Sequence, residues 1–203
     1  MRITDTLPII ILDYSWMALG IFFLVLWWRT NKIKQRESKP LRVLDKVLIW
    51  GGYIALLSLG PVNKSAGGAW SLSWRHWNLP LFLAHPALQV AGLAVAMAGL
   101  LLTGWARGVL GRYWSGTVAL KQDHRLISHG PYRFVRHPLY SGLLLAAIGT
   151  TLVLDGAHCL LGLALLLLAF VSRARREDAL LASEFGPTFA AYRRRTGLLV
   201  PGL

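Results

Sequence analysis

With 203 residues, 55% of them hydrophobic, a mean hydropathy of +0.48 and nine Trp, the chain carries more apolar sequence than an ordinary soluble domain buries. In a soluble protein a formal net charge of +13 would point to nucleic acid, but here the cations flank apolar runs, which makes anionic lipid headgroups their counterpart. The single Cys159 excludes an internal disulfide and a multi-cysteine zinc site, and its apolar neighbours assign it to packing.

In chain order, five apolar segments fall at residues 7–28, 43–62, 86–106, 139–154 and 157–172. A membrane-spanning helix takes about 20 residues, so the last two are short. Only Asp155 and Gly156 separate them, which predicts a tight helical hairpin extended at its polar flanks. The first segment is too long for a secretory h-region and no small-residue cleavage site follows it, so it reads as a retained anchor. Of the 22 cations, all but Arg2, Lys64 and Arg75 fall on one side of a five-span arrangement. The positive-inside rule then places the N-terminus outside and the C-terminus in the cytoplasm of a bacterial cell membrane.

Residues 1–110 read as scaffold spans of a single domain covering 1–203. The 61–85 loop carries Trp70, Trp74 and Trp77, an aromatic set suited to the outer interface, and Asp13 sits near the outer end of the first span. From Gly111 onward, polar motifs alternate with the two short spans. The densest is HGPYRFVRHPLYSG, residues 129–142, at the cytoplasmic lip. Headgroup contact explains Arg133 and Arg136, but not the crowding of His137, Pro138 and Tyr140 in the same turn. Downstream, Arg173 and Glu177 share one helical face and pair as an ordinary i,i+4 couple unless a ligand divides them. Gly186 and Pro187 break that helix, and residues 188–195 predict a second, amphipathic one with Phe189 and Tyr192 turned inward.

The order GRYWS, HRLISHGPYRFVRHPLYSG, a short hydrophobic hairpin, RxxxED and FGPTFAAYRRR resembles the isoprenylcysteine carboxyl methyltransferase family and, more loosely, the membrane phospholipid methyltransferases. The likeness spans about half the chain, residues 111–195. It implies an all-α integral membrane protein of about five spans with a cytoplasmic helical tail, using S-adenosylmethionine in a pocket unrelated to the Rossmann fold. Residue by residue, it makes His124, Arg125, Leu126 and Ile127 a cofactor-contacting stretch, with Tyr132, His137, Pro138, Leu139, Tyr140 and Glu177 as further cofactor contacts. Arg173 and Glu177 become the catalytic pair, with Arg173 the residue associated with the methyl acceptor; no metal is implied. Asp178 stands where a second glutamate is frequent, Phe189 where a tyrosine is, and Tyr113 where an asparagine is.

S-adenosylmethionine presents an adenine, a ribose diol, an amino-acid zwitterion and a sulfonium, and Tyr132, Tyr140, His124, His137 and Glu177 supply matching aromatic, hydrogen-bonding and anionic groups. The implied substrate is a lipophilic or prenylated molecule reached through membrane lipid. A carboxylate acceptor is already ionised and needs no base, whereas an amine must first lose a proton, for which Glu177 or Asp178 is the candidate. Three readings stay open: carboxyl methylation of an isoprenylcysteine-like acceptor, N- or S-methylation of a phospholipid or small molecule, and a non-catalytic anchor or assembly factor on the same scaffold.

Overall fold

In the computed structural model, the described residues are 3–30, 35–39, 43–57, 85–114, 118–121 and 125–202. Five helices account for most of them: α1 (Ile3–Thr30), α2 (Val43–Leu57), α3 (Pro86–Leu110), α4 (Pro138–Leu154) and α5 (Ala157–Arg193). One short antiparallel ribbon, β1 (Gln35–Lys39) with β2 (Val118–Lys121), adds to the helical expectation and pairs Ser38 with Ala119. The ribbon ties the segment after α1 to the segment after α3, so both connections lie at one end of the bundle. His124 and the loop holding Trp70, Trp74 and Trp77 lie outside the described residues.

Two helices, over Pro86–Tyr113 and Ala157–Arg193, are long and apolar enough to cross a membrane, and Pro138–Leu154 is a shorter apolar helix. The hairpin forms where the sequence placed it: α4 ends on Asp155, which adopts the left-handed conformation (φ 51°, ψ 35°), and α5 begins two residues later. A short polar residue tolerates that geometry better than a branched one. The last apolar run passes without interruption into the polar tail, helical from Ala157 to Phe185, and a second helical stretch follows Gly186 as far as Arg193. At about 1.5 Å per residue the first stretch rises about 43 Å, more than a bilayer's hydrocarbon thickness, so its C-terminal turns project beyond it. Gly186 (φ 45°, ψ −119°), followed by Pro187, kinks the helix, in agreement with the predicted break.

Small residues decide how closely α3 and α4 approach. Gly92, Ala96, Gly99 and Thr103 on α3 face Gly142, Ala146, Gly149 and Val153 on α4, at spacings of three and four residues that keep each set on one face. A methyl group on Gly99 would sit 2.6 Å from the Gly142 carbonyl oxygen, and one on Gly142 would sit 2.7 Å from the Gly99 carbonyl oxygen. A second close approach joins α2 to α5, where a methyl on Gly162 would lie 2.8 Å from the Gly52 carbonyl oxygen, beside buried Cys159 and Leu56. α1 lies against α3 and α4 through buried Leu12 and through Trp16, whose Nε1 donates to Thr150 Oγ1 at 3.1 Å.

The largest buried cluster among the described residues runs along α5 from Cys159 and Leu166, beside Leu56 of α2, to the start of α4. It includes Ala106, Tyr132, Leu139, Tyr140, Leu144, Phe170 and Ala174, with Ile127 and Leu198 packed against it. Packing and polar chemistry therefore converge on the same place.

Gly142→Val drives a side chain into the Gly99–Thr103 backbone of α3 and should destabilise the protein by about 1–3 kcal/mol, read as a lower thermal midpoint in detergent. Gly104, on the same α3 but with nothing within 4 Å of an added methyl, is the control: Gly104→Ala should be neutral or stabilising by up to about 1 kcal/mol.

Candidate functional site

The site begins with how the chain enters α4. Gly130 takes a positive φ of 59° and opens a 3-10 turn over Gly130–Arg133, with Pro131 at its start. His137 then precedes the helix in a non-helical conformation, and Pro138 occupies the first turn, where its missing N–H costs nothing. The C-terminal segment runs back across this entry. Arg136 N donates to the Gly197 carbonyl (2.9 Å) and His137 N to the Leu198 carbonyl (3.2 Å), while Ser141 Oγ donates to the Leu199 carbonyl (2.6 Å). Residues 197–199 thus form a strap over the first turn of α4.

Onto this turn α5 projects two adjacent carboxylates. Asp178 Oδ1 lies 2.8 Å from His137 Nε2, and Glu177 Oε2 lies 3.4 Å from His137 Nδ1, so each ring nitrogen faces an anionic oxygen. Tyr140 donates its hydroxyl to Glu177 Oε1 at 2.6 Å. Arg173 Nε reaches both that hydroxyl (2.6 Å) and Glu177 Oε1 (3.1 Å). The rings of His137, Tyr140 and Phe170 stack nearly parallel, with centroids 5.6 and 5.2 Å apart, and the Arg173 guanidinium lies 5.7 Å from the Tyr140 ring centre. His137 is buried, while the Glu177 side chain keeps 24% of its surface exposed. That makes Glu177 the open edge of an otherwise enclosed cluster.

Burial by itself would push the His137 value down, but the hydrogen bonds to Asp178 and Glu177 and the two negative charges outweigh it, so the net direction is up. The proton is therefore held more tightly in the fold than in the unfolded chain.

The structure brings together His137, Tyr140, Arg173 and Glu177 as the sequence reading proposed. Pro138 and Leu139 are buried beneath them. Tyr132 lies behind: its hydroxyl approaches the Ala106 carbonyl (3.4 Å) and its own carbonyl accepts from Tyr192 (2.7 Å), so it braces α3, the turn and the tail. Arg125 is exposed, and Leu126 and Ile127 are half-buried in a stretch without regular secondary structure whose backbone, over residues 125–128, makes no backbone hydrogen bond to other described residues.

One assignment changes. Headgroup contact does not account for Arg136: its side chain is only 8% exposed and its Nε donates to Asp178 Oδ2 at 2.9 Å. Its Nη1 also donates to the carbonyls of Arg193 (3.2 Å) and Thr196. Arg133, by contrast, is exposed, with its guanidinium 4.7 Å from the Phe134 ring centre. Asp178 as the main partner of His137, and the strap, were not read from sequence. The signal for Asp178 was its place beside Glu177 in RxxxED; the strap has no motif, because it acts through backbone carbonyls.

Comparison with known proteins converges on one family. Residues 83–183 match the model of the isoprenylcysteine carboxyl methyltransferase (ICMT) family. A protein-S-isoprenylcysteine O-methyltransferase of Schizosaccharomyces pombe is 34% identical over 130 residues, 61% of this chain and 55% of that protein. A probable protein-S-isoprenylcysteine O-methyltransferase of Oryza sativa is 32% identical over 111 residues, 53% of this chain and 58% of that protein. A cobalt-zinc-cadmium resistance protein, CzcN, of Cupriavidus metallidurans is 30% identical over 138 residues, 67% of this chain and 63% of that protein. Among solved structures, a eukaryotic intramembrane Ras methyltransferase, ICMT, superposes with a TM-score of 0.50 at 23% identity, covering 91% of this chain and 74% of that one, which establishes the shared fold. The chain spans a little over half the length of the first two curated relatives. The matched stretch, residues 83–183, is close to half of the chain and resembles the isoprenylcysteine carboxyl methyltransferase family, and the shared fold and the two helices of spanning length are those of a membrane protein.

Because the His137 value rises on folding, its contribution to stability is complete below the unfolded histidine value of about 6.5 and fades as pH rises through the folded one. Thermal midpoints measured in detergent across that range should fall on the alkaline side, and His137→Gln should flatten the slope.

Proposed function

We propose that this protein is an S-adenosylmethionine-dependent methyltransferase that esterifies the carboxylate of a lipophilic, isoprenylcysteine-like acceptor. The observation that carries the reading is the cluster in which His137 and Tyr140 of one chain segment meet Arg173 and Glu177 of another, inside or beside the stretch matching the family. The names of the relatives supply the chemistry to be tested.

The residues present fit the cofactor. Glu177 offers a partly exposed anion to a sulfonium or an ammonium, and the backbone of residues 125–128, outside any regular element, offers N–H and C=O groups to an adenine or an amino-acid moiety. When bound, S-adenosylmethionine supplies an activated methyl group for in-line displacement, and the protein's contribution is positioning and charge. Arg173, held against Tyr140 and Glu177, provides the cation that orients an acceptor carboxylate.

Carboxyl rather than amine methylation follows from how the carboxylates are engaged. Glu177 Oε1 accepts from Tyr140 and Arg173 while Oε2 faces His137; Asp178 uses its two oxygens for His137 and Arg136. Both anions are thus stabilised by cations and donors, which makes each a poor base toward an ammonium acceptor. A carboxylate, already ionised, requires no such step.

The five helices act as spans, with the N-terminus outside and the site on the cytoplasmic face of a bacterial cell membrane. The ribbon between β1 and β2 supports this arrangement, because it groups two of the cation-rich connections at the same end. A lipophilic acceptor then arrives through the inner leaflet and the cofactor from the cytosol. Reporter fusions at the two termini should read opposite sides of the membrane; a shared side would overturn the five-span topology.

Membranes or purified protein incubated with methyl-labelled S-adenosylmethionine and a farnesylcysteine-type acceptor should yield base-labile label, the mark of an ester. Base-stable label would establish N- or S-methylation instead, and absence of cofactor binding would establish a non-catalytic scaffold. Arg173→Ala should lower kcat/KM for the acceptor by about 100-fold. Glu177→Ala should weaken cofactor affinity measured by calorimetry, and an unchanged affinity would remove Glu177 from the cofactor site.

A further inference from the structure

Beyond the residues assigned to cofactor and acceptor, a relay of charged groups leads away from the open edge of the site. Carbonyl oxygens of Arg193 and Thr196 receive Arg136 Nη1; Arg136 Nε donates to Asp178; Asp178 meets His137 Nε2; and His137 Nδ1 faces Glu177. Every connection joins a cation or donor to an anion or acceptor. His137, in the middle of the relay, is its most constrained member. A neutral imidazole has one N–H and one lone pair, so it can satisfy one carboxylate only while turning its lone pair toward the other. Two carboxylates, one on each nitrogen, are both satisfied only by the doubly protonated ring.

We propose that Asp178 is a positioning residue for the cofactor site: anchored by Arg136, it holds His137 as an imidazolium whose second N–H fixes the orientation of Glu177. The inference rests on the reading of Glu177 as a cofactor contact, and it adds what keeps that carboxylate in place. The groups facing His137 are Asp178, Glu177 and, through Glu177, Arg173 from α5, Tyr140 from α4, and Arg136 at its own flank. From the strap comes only the Leu198 carbonyl, which engages the His137 backbone. The two anions contact the ring directly, whereas Arg136 and Arg173 bind the anions.

Tyr140 and Arg173 also hold Glu177, but both bind the same oxygen, Oε1. Among the described contacts of Glu177, the one to Oε2 comes from His137, so it sets the rotation of the carboxylate about its terminal bond. Loss of the Asp178 charge would let His137 release a proton, and the remaining tautomer would choose between donating to residue 178 and donating to Glu177. Glu177 would stay in place but lose its fixed plane.

The test uses full-length protein in detergent micelles with ring-labelled histidine, the His137 resonances being assigned by their loss in His137→Gln. At pH 7.5 the wild-type ring should show both nitrogens protonated, and in Asp178→Asn it should show a neutral tautomer. Calorimetric affinity for S-adenosylmethionine should be nearly constant from pH 6 to pH 8 in wild type. In Asp178→Asn it should match wild type at pH 6 and fall about tenfold by pH 8, as the ring loses its proton over that range; Asp178→Glu should restore the flat profile. A wild-type ring carrying one proton at pH 7.5 overturns the proposal whether or not the variants fold, as does a pH profile of Asp178→Asn that superimposes on wild type. Failure of the wild type to bind cofactor at any pH would instead sink the functional reading of Glu177, leaving the ring spectrum to decide the state of His137 on its own.

Discussion

Two neighbouring carboxylates on α5 meeting one histidine at the mouth of α4 is the interaction on which the rest of the structure depends. Taking Asp178, Glu177, Arg173 and Arg136 largely out of water is costly for each charge alone. The cost is offset because every anion finds a cation and a hydrogen-bond donor within the cluster, and removing any one partner would leave its neighbour stranded. Rigidity has the same origin: groups that are expensive to leave unpaired do not wander. The proposed reaction, which aligns a methyl group, a leaving sulfur and an acceptor oxygen, would benefit from that stiffness.

The cluster can assemble only because the helices beneath it stand at fixed distances. Glycine-to-backbone contact between α3 and α4 sets where His137 and Tyr140 emerge, and the two-residue hairpin through Asp155 sets where α5 returns. The site lies at the end of the bundle opposite that hairpin, so any splaying of α4 from α5 would open it. Phe170, stacked on Tyr140 just below the polar groups, seals the boundary between the apolar interior and the charged network. The strap from residues 197–199 closes the other side, using backbone carbonyls to satisfy amides that the start of α4 would otherwise leave without partners.

Much of this was legible in the sequence, and the exceptions have a common cause. The hairpin was visible because Asp155 and Gly156 interrupt an apolar run, the kink because Gly186 and Pro187 adjoin, and the grouping of His137, Tyr140, Arg173 and Glu177 because the family resemblance assigns them to one site. Arg136 was misread because an arginine beside an apolar helix has a ready explanation at the membrane surface; only distance separates that from an ion pair with a residue 42 positions on. The ribbon of residues 35–39 with 118–121 was missed because QRESK and VALK carry no alternation strong enough to predict strands. The strap was invisible because backbone carbonyls belong to every sequence.

Two departures from the family pattern acquire physical meaning in this setting. Phe189, where a tyrosine is frequent, is almost wholly buried; a phenol there would need a hydrogen-bond partner inside the protein. Tyr192, with its ring 6.1 Å from that of Phe189, carries the hydroxyl that reaches the Tyr132 carbonyl, so the tail is still pinned to the turn before α4. Asp178, where a glutamate is frequent, is shorter by one methylene and has fewer rotamers. With Arg136 on one oxygen and His137 on the other, it acts as a fixed bridge between the C-terminal segment and the ring. The shorter side chain therefore suits a residue that holds position, and the longer Glu177, with its partly exposed edge, suits one that meets a ligand.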